Sequence, residues 1–189
     1  IYRGLVGSEM CIRDRSSMCQ KHKILMSNFE VFEISLGVGL LGMSPLPGLS
    51  GNFEADIKHI INWRPTCIVS LTETNEMKDL GAKDLFLRLE KEKIPSIHFP
   101  IKDFGTVDNK REFQWEFLSN DLRQQIESGG RVLIHCRGGC GRTGMLALRI
   151  MIEFGEKPDT ALLKLRSIRP CLVETEAQEM WARSAIERR

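Results

Sequence analysis

Hydrophobic positions along the chain follow two different periods, and the alternation between them predicts strands separated by helices. Four short segments that are β-branched or alternating are predicted as strands: 31–36, 66–71, 94–99 and 131–135. Apolar residues at helical spacing predict helices over 52–63, 82–92, 111–128 and 145–154, one beginning at Pro158, and one over about 174–187. This order predicts an α/β domain with a central, largely parallel sheet flanked by helices on both faces.

Segments without either period are predicted as connections. The Gly- and Pro-rich segment 37–51 is predicted to be a loop, a polar turn follows the strand that ends at 71, and 100–110 is a loop rich in Gly and Asp. Residues 1–15 have no periodicity and resemble a translated sequencing adapter. We therefore expect 1–27 to be a disordered or artefactual segment and 28–189 to form a single domain.

Charge, apolar runs and cysteine spacing indicate which partners and metal sites to expect. The net charge of the 189 residues is +2, which does not favour nucleic acid or an acidic membrane. No apolar run reaches the roughly 20 residues that span a bilayer, and 145–154 is interrupted by Arg149 and Glu153. The six cysteines fall at irregular spacings without a zinc-type cluster, so we expect mostly free thiols and no metal. A cytoplasmic location and a monomeric state are the corresponding expectations.

The segment HCRGGCGRTG at 135–144 stands between a predicted strand and a predicted helix. Its glycines allow successive N–H groups to turn inward around a tetrahedral dianion. The N-terminus of the following helix adds positive potential, and the planar fork of Arg142 can hold two phosphate oxygens. The predicted phosphate-binding residues are Arg137, Gly138, Gly139, Cys140, Gly141 and Arg142.

Cys136 is the predicted nucleophile of this segment. Electropositive surroundings of this kind favour the thiolate of a cysteine, and a thiolate can attack phosphorus and form a thiophosphate intermediate. Thr143 can donate its hydroxyl to the sulfur, which would stabilise the leaving thiolate in a second step. This chemistry needs no cofactor. A glycine-rich turn around an inert cysteine is the competing interpretation, and the coincidence of nucleophile, arginine and strand–loop–helix context disfavours it.

With these residues in place, the chain resembles the cysteine-dependent protein tyrosine and dual-specificity phosphatases, whose signature is HC-x5-R-T-G. It is most similar to the kinase-associated (cyclin-dependent-kinase) phosphatases and their bacterial relatives. The shared motifs are SPLPG at 44–48, FPIKDFG at 99–105, the signature itself, and RP-x3-ET-x2-Q at 169–178. The resemblance implies a dual-specificity-phosphatase-like fold for 28–189. It also implies a phosphoprotein substrate, with hydrolysis of phosphotyrosine and/or phosphoserine and phosphothreonine through a cysteinyl-phosphate intermediate.

The resemblance implies roles for three further residues. Asp103 matches the general acid that protonates the leaving oxygen, and we favour it over Asp108 in the same loop. Gln178 matches the glutamine that positions water, and a surface glutamine on a helix is an equal alternative. His135 is implied to order the loop through hydrogen bonds. Direct proton exchange between His135 and Cys136 is not expected, because adjacent residues of a strand face opposite sides.

For three residues of the shared motifs, the sequence leaves two possible roles each. Arg137 could meet anionic substrates at the rim of the site or be a solvated charge. Arg169 could brace the loop or end a helix. Cys140 lies where it could trap an oxidised Cys136, but most free cysteines are inert, and we expect Cys140 to be a spectator.

Several other functions compete with protein dephosphorylation. The chain lacks the tryptophan of a Trp-Pro-Asp loop and has no tyrosine except Tyr2, which argues against a tyrosine-specific pocket. The same chemistry on a phosphoinositide or an RNA 5′ phosphate is the main alternative, although only Arg137 would supply extra basic charge. A non-catalytic phosphate-binding module is disfavoured by the intact Cys136, Arg142 and Asp103. A sulfurtransferase or arsenate reductase would not need Asp103 or Gln178.

Overall fold

Five strands form one sheet in the order β1-β2-β5-β3-β4. The computed structural model describes residues 29–185, so the prediction for 1–27 lies outside the described residues. The strands are β1 (Phe32–Leu36), β2 (Gly39–Ser44), β3 (Cys67–Ser70), β4 (Ser96–His98) and β5 (Arg131–His135). β1 is antiparallel to β2, and the other neighbouring strands are parallel. The prediction of a largely parallel sheet is confirmed.

Helices begin and end where local signals place them. They are α1 (Phe53–Trp63), α2 (Thr74–Asp79), α3 (Leu85–Lys91), α4 (Glu112–Glu127), α5 (Gly141–Glu153), α6 (Pro158–Ile168) and α7 (Glu176–Arg183), with a 3-10 turn at Asn109–Arg111. Asn52 caps α1 by accepting the N–H of Ala55 at 3.2 Å. Pro158 occupies the first turn of α6, where a missing N–H costs nothing.

The two faces of the sheet carry separate hydrophobic clusters. Leu133 of β5 packs in the cluster formed with α1, α2 and α3. Its neighbours Val132 and Ile134 point the other way, into the cluster formed with α4, α5, α6 and α7. The expected helices on both faces are confirmed. β5 is central in the sheet, so the chain leaving it emerges from the middle of the fold.

Two predicted connections contain regular structure. The predicted loop 37–51 is wrong for its first half, because Gly39–Ser44 forms β2, which pairs with both β1 and β5. Its glycines permit close packing: a Cβ on Gly42 would lie 2.7 Å from the ring of Trp63, and one on Gly39 would clash with the Ile126 carbonyl oxygen. The predicted polar turn after β3 likewise contains α2, a short helix that propensity alone does not reveal.

Candidate active site

The phosphate loop, residues 136–142 between β5 and α5, is held from outside by its carbonyl groups. Leu46 donates its N–H to the Arg137 oxygen at 3.0 Å, and the Arg169 guanidinium donates to the Gly138 oxygen at 2.9 Å. An outward carbonyl turns the next N–H inward, because the two groups of a peptide plane point in opposite directions. Among residues 29–185, the N–H groups of 137–140 meet no acceptor. They form a row of donors for an oxyanion.

The glycines of the phosphate loop are required by its neighbours. Gly139 has a φ of +67°, and a Cβ on it would lie 2.6 Å from the nitrogen of Pro45. A Cβ on Gly141 would clash with the Glu174 carboxylate and lie 2.9 Å from Oε1 of Gln178. The segments 44–48 and 169–178, noted in the sequence as motifs, therefore pack directly on the loop. Arg169 braces the loop with its side chain and is also the C-cap residue of α6, so the structure shows both of its expected roles.

The Arg142 side chain lies beneath the loop, only 2% exposed, and acidic groups hold it. Its two terminal nitrogens donate to the two oxygens of Glu76 at 2.7 and 2.9 Å. One of them also donates to the Ile101 carbonyl at 2.9 Å, and the other lies 3.0 Å from Oδ1 of Asp103. The two terminal nitrogens thus donate three hydrogen bonds and form one ion pair with Asp103. Glu76 was not found from the sequence, because it lies in the segment interpreted as a polar turn.

The pair formed by Glu76 and Arg142 stays charged although it is largely buried. Burial opposes the ionisation of Glu76, but the hydrogen bonds from Arg142 and from the N–H of Glu73 outweigh it, so the pKa of this carboxyl lies below its ordinary value. Burial likewise opposes the Arg142 cation, but Glu76, Cys136 and Asp103 together raise its pKa. Arg142 is therefore a fixed positive charge beside the sulfur of Cys136.

The acid loop, residues 100–110 after β4, brings one of its two aspartates to the site. Asp103 contacts Arg142, and its Oδ1 also accepts the N–H of Phe104 at 3.1 Å. Asp108 instead caps the 3-10 turn by accepting the N–H of Lys110 at 3.0 Å. The structure therefore places Asp103, and not Asp108, beside the arginine of the phosphate loop.

Cys136 and two other residues of the signature, Thr143 and His135, have buried side chains. Cys136 is 3% exposed, and Thr143 is fully buried with a hydroxyl that has no hydrogen-bond partner among the described residues. His135 is also buried, and neither of its ring nitrogens has a partner there, so the hydrogen bonds expected from its ring to the loop are not seen among the described residues. Burial lowers the pKa of His135 to about 4, with the main chain of Cys136 opposing the shift only in part. The ring is neutral, and the loop start is joined to the end of β3 through the Leu71 N–H and the His135 oxygen at 2.9 Å.

Gln178 connects the acid loop to the start of α7. Its Oε1 accepts the N–H groups of Glu174 and Thr175 at 3.2 and 3.3 Å, and its Nε2 donates to the Gly105 carbonyl at 3.2 Å. The side chain is completely buried. The alternative of a surface glutamine is wrong, and Gln178 lies between the phosphate loop and the acid loop.

Cys140 is covalently bonded, so the expectation that it is a free thiol is wrong. It forms a disulfide with Cys171, and the two Cα atoms are 5.3 Å apart. Cys67 and Cys136 are free and buried. Cys140 and Cys171 are separated by 31 positions and meet only because the connection between α6 and α7 folds back onto the phosphate loop. Irregular cysteine spacing carries no signal of such a pair.

Two other classes of feature are absent from the part of the chain that the structure describes. Within 29–185, no three His, Cys, Asp or Glu side chains are grouped so that they could bind a metal ion. No helix in this range is both long and apolar enough to cross a membrane.

Known proteins are similar to this chain in sequence. Residues 44–188 match the family described as PTP-SAK, "Swiss Army Knife protein, DSP-PTPase phosphatase domain". Cyclin-dependent kinase inhibitor 3 of Rattus norvegicus is 28% identical over 116 residues, covering 51% of this chain and 53% of the rat protein. The chain spans about half the length of the curated relatives it matches.

Solved structures share the fold over most of their length. Kinase associated phosphatase (KAP), crystallised with serine in place of its catalytic site cysteine, is similar with a TM-score of 0.75 at 21% identity. The match covers 82% of this chain and 93% of KAP. Tk-PTP in its active form is similar with a TM-score of 0.61 at 26% identity, over 77% of this chain and 92% of Tk-PTP.

Proposed function

Because the chain belongs to the DSP-PTPase phosphatase domain family of Swiss Army Knife proteins, we propose that it hydrolyses phosphotyrosine, phosphoserine or phosphothreonine in proteins through a cysteinyl-phosphate intermediate. One observation carries the proposal: a buried cysteine at the end of β5 begins a loop of unpaired N–H donors, with Arg142 and Asp103 in contact beside it. This combination provides a nucleophile, an anion cradle and an acid in one place.

Two kinds of hydrogen-bond donor bind the substrate phosphate. Some meet no acceptor within residues 29–185 of the free protein, and one, a terminal nitrogen of Arg142, contacts Asp103. The N–H groups of 137–140 receive phosphate oxygens, and the Arg142 Nε–H has no partner among the described residues. Bidentate binding by Arg142 also needs the terminal nitrogen that Asp103 now contacts. Phosphate therefore displaces Asp103 from Arg142, while Glu76 and the Ile101 carbonyl keep the other terminal nitrogen in place. The displaced carboxyl is then free to meet the leaving oxygen.

The first chemical step is attack of the Cys136 thiolate on phosphorus. The bond between phosphorus and the ester oxygen breaks, and Asp103 donates its proton to that oxygen. The inward N–H groups and Arg142 stabilise the charge that develops on the equatorial oxygens. His135, neutral and buried below the loop, supports the strand end from which Cys136 projects.

The second step releases phosphate. Asp103, now a carboxylate, takes a proton from water, and the water attacks phosphorus while the Cys136 thiolate leaves. The unpartnered Thr143 hydroxyl supports its predicted role as donor to that sulfur. The second proton of the Gln178 Nε2 supports a role in orienting the water, because this amide already contacts the acid loop at Gly105. A nucleophilic thiolate has to be kept reduced, which is why a cytoplasmic location is part of the proposal.

The proposal is tested by an activity panel with a matched nucleophile variant. The 189-residue protein and its Cys136→Ser variant are assayed on a phosphotyrosine peptide, a phosphothreonine peptide and a phosphoinositide. We expect turnover of the peptides, phosphate on Cys136 in acid-quenched samples by mass spectrometry, and no turnover by Cys136→Ser, which should still bind vanadate through the loop and Arg142. Preferential hydrolysis of the phosphoinositide would replace the protein substrate. Turnover by Cys136→Ser would refute the mechanism.

A further inference from the structure

The two cysteines of the phosphate loop are in different chemical states. Cys136 is a free thiol, whereas Cys140 is bonded to Cys171. Cys171 lies exposed in the connection between α6 and α7. That connection is also held to the phosphate loop without the disulfide, through Arg169 to the Gly138 oxygen at 2.9 Å and the Val173 N–H to the Cys140 oxygen at 3.4 Å. Cys171 therefore stays beside Cys140 when both are reduced.

We propose that Cys140 and Cys171 are an electron-donor pair that returns an oxidised Cys136 to its thiolate, so that the enzyme survives one equivalent of hydroperoxide. The proposal rests on the proposed function in one respect, since it takes Cys136 as a thiolate in an anion-binding loop. A thiolate in such a place is the form that hydroperoxides attack. The arrangement in the structure, with Cys136 free and the other two bonded, is the end state of this relay.

The relay, in which Cys140 and Cys171 reduce an oxidised Cys136, has three steps. The Cys136 thiolate attacks a peroxide oxygen, the O–O bond breaks, hydroxide leaves and Cys136 becomes a sulfenic acid. The Cys140 sulfur then attacks the Cys136 sulfur, and the oxygen leaves as water with the Cys140 thiol proton. The Cys171 sulfur attacks Cys140, the Cys136–Cys140 bond breaks with its electron pair on Cys136, and the Cys171 thiol proton neutralises the hydroxide. Two thiols have become one disulfide, and hydrogen peroxide has become two waters.

The second step needs the main chain between the two cysteines to change its conformation. Gly138 has open space where a Cβ would point, whereas Gly139, at positive φ, lies against Ser44 and Pro45, so the oxidised loop has to move away from that segment at Gly139. The sulfur of Cys140 is 3.6 Å from the oxygen of Gly138, which is two residues after Cys136 in the same loop. The third step returns Cys140 to Cys171, and the Cα separation of 5.3 Å in the structure is that of the finished disulfide, so this step restores the loop to the conformation seen here.

The remaining described cysteine does not compete for this role. Cys67 is buried in β3, and burial raises the pKa of its thiol to about 11. It stays protonated and unreactive at neutral pH. Cys171, in contrast, is exposed, so a cellular dithiol can reduce the finished disulfide and reset the pair. Cys67→Ser is therefore the matched control for the variants of the pair.

The test compares the same protein with the pair reduced and with the pair oxidised beforehand. Full-length wild type, either fully reduced or pretreated with glutathione disulfide, receives one equivalent of hydrogen peroxide. Residual hydrolysis of an aryl phosphate and the disulfide map by mass spectrometry are then measured. The reduced protein is expected to keep about fivefold more of its activity than the pretreated protein and to gain the Cys140–Cys171 bond. The pretreated protein is expected to carry sulfenic acid on Cys136.

Variants assign the steps to individual thiols. Reduced Cys171→Ser should stop at a Cys136–Cys140 disulfide and lose its activity until dithiothreitol is added. Cys67→Ser, and a Cys11→Ser/Cys19→Ser double variant of the N-terminal segment, should behave like wild type. Equal losses in reduced and pretreated wild type, or equal retention in wild type and Cys171→Ser, would overturn the relay. If the untreated protein hydrolyses no aryl phosphate, the proposed function fails, whereas the disulfide map still decides whether the relay operates.

Discussion

The phosphate loop and the acid loop meet at Arg142, yet they are built in opposite ways. The phosphate loop is enclosed between β5 and α5, its nucleophile is buried, and its carbonyls are bonded from outside by neighbouring segments. The acid loop lies at the surface. The Asp103 side chain is 39% exposed, and the next residue, Phe104, is 62% exposed with a φ of +56°.

This difference follows the chemistry that each loop would perform. An anion cradle works best when its donors are already oriented, because no energy is then spent on reorganisation during the reaction. A general acid has to change its contacts and its protonation during a single turnover. The acid loop is therefore joined to the rest of the site by exchangeable links, chiefly from Arg142 to Asp103 and from Gln178 to Gly105. A left-handed non-glycine residue costs about 1–2 kcal/mol, so the turn at Phe104 depends on its surroundings.

The largest effect is expected from removing the acid. Asp103→Asn should lower kcat/KM by roughly 10²–10⁴-fold on a phosphothreonine peptide, whose leaving alkoxide needs a proton. The loss should be much smaller on an activated aryl phosphate, which leaves with little protonic help. The basic limb of a bell-shaped pH profile should also flatten, because that limb reports the loss of the acid's proton. Steady-state kinetics across pH measure all three effects.

The matched control lies in the same loop. Asp108 caps the 3-10 turn, and Asp103 is the aspartate of this loop that contacts Arg142. Asp108→Asn should therefore change these kinetics little. A leaving-group-dependent loss in Asp108→Asn instead would show that the assignment within the acid loop is wrong. If neither Asp103→Asn nor Asp108→Asn showed a leaving-group-dependent loss, the contrast between a fixed phosphate loop and a movable acid loop would be wrong.

A smaller effect is expected where the two loops are joined. Glu76→Gln removes the charge that holds both terminal nitrogens of Arg142 and keeps only one acceptor for them. Arg142 should be less well oriented, and kcat/KM should fall by about tenfold on aryl phosphate and peptide alike, since phosphate binding and not proton transfer is affected. Asp79→Asn, an exposed acid on the same helix, is the control. Near-normal turnover in Glu76→Gln would mean that the phosphate loop alone orients the arginine.

The smallest effect on activity is expected from His135, the residue before the phosphate loop. Its effect on the free energy of unfolding should be clear. His135 has a pKa of about 4 in the folded protein against an ordinary value of 6.5, because burial disfavours its charged form. The unfolded chain binds this proton first as the pH falls. The stability from the neutral ring is therefore complete above 6.5 and is lost as the pH falls towards 4. The loss from this group between neutral pH and pH 4 is about 3 kcal/mol.

Urea unfolding across this range measures the change. The free energy of unfolding of wild type should fall more steeply below pH 6.5 than that of His135→Asn, which has no ring to protonate. The exposed His59 provides the control, because His59→Asn should keep the wild-type slope. Identical slopes in wild type and His135→Asn would show that the ring is not held neutral.

The sequence pattern was sufficient to predict the structure where one continuous segment contains both the secondary-structure pattern and the chemically active residues. Residues 131–144 contain a buried strand, a glycine loop and a helix start in direct succession, so the phosphate loop follows from sequence neighbours alone. The same holds for the α/β order of the elements. It fails at β2, because Gly39 and Gly42 look like loop residues until the packing of Trp63 and Ile126 shows that no side chain fits there.

The proposed reaction centre, which consists of Cys136, the glycines after it and Arg142, follows from the sequence, since these residues lie within one continuous segment of chain. Tertiary structure alone decided what surrounds that centre. Glu76, Asp103, Arg169, Gln178 and Cys171 come from separate loops and helices, and they meet only where the connections at the carboxyl ends of the parallel strands come together. Contacts between residues distant in sequence leave no periodic trace, because each partner is constrained by position in space and not by its neighbours in the chain.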